Sequence, residues 1–161
     1  MKTLKPFFSL FAIAVVLVTA SCSASRETAS PYSEKAKSIT APGKAIVYVY
    51  RISSYGWAVG LPVDCNKTSL ETLFPKKYYL CVLDPGKYIF TCQGENEDDI
   101  VVNAQADRTY YLELSAQMGW VQARCRLEVP EPGKAVKDLQ KCKMAGMNAA
   151  ARAILESGST P

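Results

Sequence analysis

Apolar and polar positions follow a period of two through the middle of this chain and change to a helical period near its end. Ala45 to Arg51 (A-I-V-Y-V-Y-R), Lys77 to Leu83 (K-Y-Y-L-C-V-L) and Tyr88 to Cys92 (Y-I-F-T-C) are β-branched and aromatic runs of strand length. Ile100 to Ala104, Thr109 to Leu114 and Val121 to Val129 add three more. In the last of these Val121, Ala123, Cys125, Leu127 and Val129 alternate with Gln122, Arg124, Arg126 and Glu128, the pattern of a half-buried strand. Weaker strands are expected over Val59 to Cys65 and Leu70 to Phe74. Between two of the strong runs, Asp84-Pro85-Gly86-Lys87 has the chemistry of a type II turn, with Pro fixing the first corner and Gly taking a positive φ at the second. A hairpin with Pro85 and Gly86 as its loop places Leu83 opposite Tyr88, Cys81 opposite Phe90 and Tyr79 opposite Cys92, all six on one core face. After Pro130 and Pro132, Val136, Leu139 and Cys142 take helical spacing, and Met147 to Leu155 is Ala-rich, with Gly146 a break between two helical pieces. The expectation is an all-β fold: an antiparallel β-sandwich of about seven or eight strands with a C-terminal helix packed on it.

The chain before Lys44 reads differently. M-K-T-L-K-P is a basic start, Phe7 to Val18 an apolar run, and T-A-S-C a stretch of small residues ending in a cysteine, which together make an export signal. The run is about a dozen residues long against the roughly 20 that cross a bilayer, so a permanent transmembrane helix is the weaker reading. From Ser23 to Gly43 the composition turns to Ser, Ala, Thr, Pro and Lys with no apolar period, as in a tether; a short strand near Ser38 to Thr40 is the alternative. The organisation expected is a signal peptide over 1–21, a modified cysteine and tether over 22–43, the sandwich over 44–129, and a helical segment and tail over 130–161.

Val18-Thr19-Ala20-Ser21-Cys22 resembles the lipobox of bacterial lipoproteins, with Thr19 where an aliphatic residue is usual. The resemblance implies a diacylglycerol on Cys22, the new first residue after cleavage. Ser23 rather than Asp follows, which by likeness to Gram-negative lipoproteins implies transfer to the outer membrane. Further along, Ala45 to Arg51, then Asp84-Pro85-Gly86-Lys87-Tyr88, then Arg108-Thr109-Tyr110-Tyr111-Leu112 and Met118-Gly119-Trp120 resemble a bacterial lipoprotein family of unknown function. That family has a signal peptide, a lipobox, a tether and one small sandwich of immunoglobulin-like or transthyretin-like type. The likeness covers roughly Lys44 to Lys143 and implies fold and location; it carries no catalytic residues. Cys65-Asn66 departs from it, standing where the family has a glycine-containing turn. A related likeness is to envelope sandwich modules that repeat P-G-x-Y turns and serve as surface scaffolds.

Composition narrows the chemistry. The 161 residues hold no histidine, which removes the usual general base, the Ser-His-Asp and Cys-His constellations and the commonest metal ligand. Formal charge is +4, but Lys2 and Lys5 fall in the signal, leaving 17 basic against 15 acidic residues, a balance that calls for neither nucleic acid nor an acidic membrane surface. No cofactor and no metal site are expected. Glu95, Glu97, Asp98 and Asp99 lack the spacing that converges on calcium and read as a solvated hairpin tip. Lys137, Lys141 and Lys143 read as a solvated face.

With Cys22 acylated, Cys65, Cys81, Cys92, Cys125 and Cys142 remain, an odd set for an oxidising compartment, and none has C-x-x-C spacing. Cys125 with Cys142 is the favoured disulfide, stapling the terminal helix to the last strand; buried thiols acting as small apolar residues are the alternative. Tyr55, Trp57 and Trp120 are the aromatics least explained by strand alternation. They either plug an end of the core, as large apolar residues commonly do, or form a binding patch. The functional expectation is a lipid-anchored, non-enzymatic binding or assembly module facing the periplasm. Its partners would be the membrane, through the anchor, and an envelope protein. The alternatives are an envelope enzyme acting on a cell-wall or lipid substrate, and a purely structural sandwich held by disulfides.

Overall fold

The structure, a computed structural model, describes residues 35–157; Cys22 and the export segment lie outside the described residues. Nine strands form two sheets, with a 3-10 turn (Lys35–Ser38) before them. In chain order they are β1 (Ala45–Arg51), β2 (Leu61–Cys65), β3 (Thr68–Leu73), β4 (Lys77–Leu83), β5 (Gly86–Gln93), β6 (Glu97–Ala104), β7 (Thr109–Gln117) and β8 (Arg124–Glu128). Then come α1 (Pro132–Gln140), β9 (Lys143–Met147) and α2 (Ala149–Ser157). The five-stranded sheet runs β8-β7-β1-β4-β9 and the four-stranded sheet β3-β2-β5-β6. The expected sandwich with a C-terminal helix is therefore present.

Two strand pairings go beyond the antiparallel expectation. β7 lies parallel to β1 and β9 parallel to β4, so the larger sheet is mixed, while the smaller is antiparallel throughout. Parallel neighbours need a long return across the sheet, and here the return to β9 is α1.

The strand-turn-strand unit around Pro85 is not a hairpin. β4 pairs with β1 and β9, whereas β5 pairs with β2 and β6, so Asp84 and Pro85 carry the chain from one sheet to the other. Gly86 opens β5 without a positive φ, contrary to a type II turn. The expected core survives in another form: Tyr79 and Cys81 on one sheet face the same interior as Phe90 and Cys92 on the other, with Leu83 and Tyr88 at its margin. Alternation sorts side chains by face and says nothing about which sheet the next strand joins.

β1 is buried at every position. Ala45, Val47 and Val49 point into the sandwich, while Ile46, Tyr48 and Tyr50 join a second core outside it with Tyr78, Leu80, Val82, Leu139 and Leu155. A continuous apolar run is what a strand covered on both faces requires. The covering layer is made by the 3-10 turn, α1 and α2. Ala36 and Ala41 are buried in it and the Tyr48 hydroxyl donates to Ala36 O at 2.7 Å, so the stretch expected as tether is anchored on the domain at Ala36 and Ala41. Lys134 bridges Glu113 of β7 and Asp138 of its own helix, holding α1 to the sheet. Asn148 exchanges two hydrogen bonds with the Val82 backbone and accepts from Ala151 N, fixing α2 against β4. The segment after Pro130 is thus helix, strand, helix, with Gly146 inside β9 rather than between two helices. At the β2–β3 turn, Asn66 and Lys67 both take left-handed φ, the geometry of a two-residue hairpin, and Asn66 Oδ1 accepts from Ile89 N at 2.9 Å.

Candidate functional site

β1, β7 and the start of β2 place two loops at one end of the sandwich, residues 52–60 and 118–123. They face each other across a groove of about 650 Å³, with Tyr55, Val59 and Pro62 on one bank and Met118, Val121 and Gln122 on the other. Tyr55 is 48% exposed, Trp57 78% and Trp120 97%. The three aromatics do not plug the core; they stand at one end of it, in water, as a patch requires. Met118 and Phe74 are exposed beside them, and so is Val121, which alternation placed on the buried phase of a strand over Val121 to Val129. β8 spans only Arg124–Glu128, because the chain before it is bent into the loop, and Val121 and Val129 both stand in water.

The first loop is built on Arg51. Its position continues the inward series Ala45, Val47, Val49, so a guanidinium enters the sandwich where an apolar side chain would. The fork of the guanidinium makes this tolerable. Nη1 donates to Val59 O at 2.6 Å and Leu73 O at 3.0 Å, and Nη2 to Tyr55 O at 2.8 Å and Gly56 O at 3.1 Å, while Nε has no partner. Four carbonyls from three segments thereby converge on one fully buried side chain, and burial draws its pKa down from the ordinary value. Gly56 sits over Nη2 with φ +62°, a conformation that needs glycine.

The second loop is held by the acidic segment read as a solvated tip. Glu95 accepts from Val121 N at 2.8 Å and Gln122 N at 3.0 Å, and its own N–H donates to Ala123 O. The Gln122 and Val121 amides, then that of Trp120, hold the Glu95 carboxyl below its ordinary value. A Cβ at Gly119 would collide with the Gln122 carbonyl and the Glu95 carboxylate, so the tight approach depends on glycine there. Asn96 continues the seam, its amide pairing with both backbone groups of Cys125 at 2.9 and 2.8 Å, and Asp98 accepts from Leu127 N at 2.8 Å. Side chains of Asn96, just before β6, and Asp98, within it, thus replace the missing strand partner of β8 and close one edge of the sandwich.

A disulfide lies beneath that seam. Cys125 is bonded to Cys92 of β5, with Cα atoms 6.2 Å apart, and not to Cys142. The expected Cys125–Cys142 staple is ruled out by the sheet: Cys125 looks into the sandwich while Cys142 lies in the outer core beneath α1. Cys65, Cys81 and Cys142 are buried thiols. Burial pushes Cys65 and Cys142 up to about 11 and Cys81 higher still, which keeps all three protonated and unreactive at neutral pH.

Among the described residues no cluster of three or more Cys, Asp or Glu is arranged to hold a metal ion, and no helix is long and apolar enough to cross a membrane. No protein-family profile matches the chain, and a search of curated proteins finds no match. The geometry therefore carries the functional argument. It brings Tyr55, Trp57 and Trp120 to one end and leaves Cys125 and Cys142 on opposite sides of a sheet. The buried hub Arg51 and the latch Glu95 were missed as site residues, although an arginine in the apolar phase of a strand was a readable signal.

Proposed function

We propose that this chain is a lipid-anchored cell-envelope protein, acylated at Cys22 and held at the outer membrane with its domain in the periplasm. There it acts as a non-enzymatic binding or assembly module through Tyr55, Trp57 and Trp120. One observation carries the binding half of this reading: two tryptophans stand mostly in water on loops that are pinned rather than loose. Large apolar surface left exposed marks a surface that something covers, and aromatics supply contact area at low entropic cost. The location half is supported by the export signal and the lipobox-like Val18 to Cys22.

Photo-crosslinking in living cells from position 121, with position 103 at the opposite end as control, tests the module. Capture of lipid or of an envelope protein from position 121 alone, abolished by Trp57→Ala with Trp120→Ala, is the expected result. Equal capture from both ends, or none from position 121, contradicts it.

A further inference from the structure

We infer that the aromatic end is a lipid-docking surface, which seats Trp57 and Trp120 at the headgroup level of the anionic bilayer that holds the anchor. This rests on the reading of Cys22 as the anchor and names the partner of the same surface. Both tryptophans of the chain are at this end, and Met118 and Val121 beside them are 79% and 89% exposed. Tryptophan prefers the boundary between headgroups and acyl chains, where an amphipathic ring is wet on one side only. The side chains project from separate loops, with no shared concave fit beyond the shallow groove between them, which suits a fluid surface.

Charge at this end is divided, with bases gathered on one flank. Lys77 pairs in register with Arg51 and with Lys143, and Lys143 N donates to Lys76 O, so three lysines lie together where β4 and β9 begin. Arg124 stands on the opposite flank at the start of β8. The acids Glu95, Glu97 and Asp98 lie on that second flank, where Glu95 is ionised and faces Arg124, so the group of bases set apart from these acids is the one at the start of β4 and β9. Basic residues flanking exposed aromatics are the composition that holds a protein on anionic lipid.

The path of the chain allows this contact. Lys37 Nζ donates to Gln140 O in the last turn of α1, the helix end next to Lys141, Cys142 and the start of β9. The Ala36 carbonyl accepts from Tyr48 in the middle of β1, so the described chain begins over the outer face of the larger sheet, with the Lys37 side chain reaching toward that helix end. Twelve residues lie between Cys22 and Lys35; the thirteen steps from one to the other reach at most about 45 Å, which limits how far an anchored domain stands from its bilayer. Anchoring also raises the local concentration of lipid around this end.

The test uses the full chain purified from membranes and reconstituted into vesicles of phosphatidylethanolamine with phosphatidylglycerol carrying bromine on the acyl chains. The expected result is about two-fold quenching of tryptophan emission by the brominated lipid, with protection from acrylamide. Lys76→Glu with Lys143→Glu should remove most of that quenching while the chain still floats with the vesicles. Attached chain whose tryptophans stay open to acrylamide and unquenched by bromine overturns docking and leaves the anchor intact. Shielding from acrylamide without bromine quenching means that a second copy covers this end, and also overturns docking. Mass spectrometry showing Cys22 unmodified overturns the anchor; the unacylated chain on the same vesicles then decides docking, since absent quenching refutes it and quenching sustains it.

Discussion

Glu95 lies in the turn between β5 and β6 and Val121 in the loop between β7 and β8, connections of different sheets, yet the carboxylate of the first accepts the amide N–H of the second at 2.8 Å and takes the next amide as well. The loop that carries Trp120 is therefore shaped from outside itself. Because these bonds favour the ionised form, the carboxyl titrates below its ordinary value. The sign follows by linkage: the latch is fully present above the usual carboxylate range and is lost as pH falls through the lowered value. Hydrogen exchange at Val121 and Gln122 should accelerate in acid with a midpoint below that of an ordinary glutamate. Glu95→Gln should accelerate it at neutral pH while the sandwich stays folded. Exchange indifferent to both changes would show that the loop holds its shape without Glu95.

Arg51 gives the first loop the same kind of support from inside the core. Arg51→Met removes the donors of four carbonyls and should destabilise the domain by roughly 3 kcal/mol or more. Arg51→Lys keeps a charge but lacks the planar fork and should recover only part of that. Denaturant unfolding followed by circular dichroism measures both. Equal loss from the two variants would mean that packing volume, rather than the four hydrogen bonds, sets the cost.

The thiol count gives a third prediction. Alkylation of the oxidised domain, before and after unfolding, should find one disulfide, Cys92 to Cys125, and three thiols that react only when the chain unfolds. The bond closes a separation of 33 residues, so Cys92→Ala with Cys125→Ala should cost roughly 3 to 4 kcal/mol by the loop-entropy relation. A Cys125–Cys142 peptide would contradict the assignment of the two residues to opposite faces.

Acylation is tested separately. Intact-mass analysis of the membrane fraction should show Cys22 as the first residue carrying a diacylglycerol, and Cys22→Ser should release the domain or leave the precursor uncleaved. Lipid labelling that persists in the variant refutes the anchor.

Strand positions were legible because β-branched and aromatic runs with period two report faces directly, and β1, β4, β5 and β7 fall where those runs fall. Connectivity was not. Asp84-Pro85-Gly86 carries the same residues whether a chain turns back in one sheet or crosses to another, and the choice was made by β2 and β9, distant in sequence. β9 itself, K-M-A-G-M, has little strand propensity and exists because β4 offers it an edge. The exposure of Trp57 and Trp120 could be posed from the sequence, since neither fits a strand's alternation. Arg51 left a trace, an arginine in the apolar phase of β1, but its role and that of Glu95 did not, because both act through backbone groups of loops whose folding no local pattern records.

The most direct measurement is hydrogen exchange of the full chain in its native membranes, compared with the same chain in detergent-free solution after enzymatic removal of the anchor segment. Protection confined to residues 52–60 and 118–123, and weakened by Trp57→Ala with Trp120→Ala, is the result predicted for a domain that works through its aromatic end. Protection at the opposite end, around Asn103 to Arg108, or no difference between the two states, would contradict it.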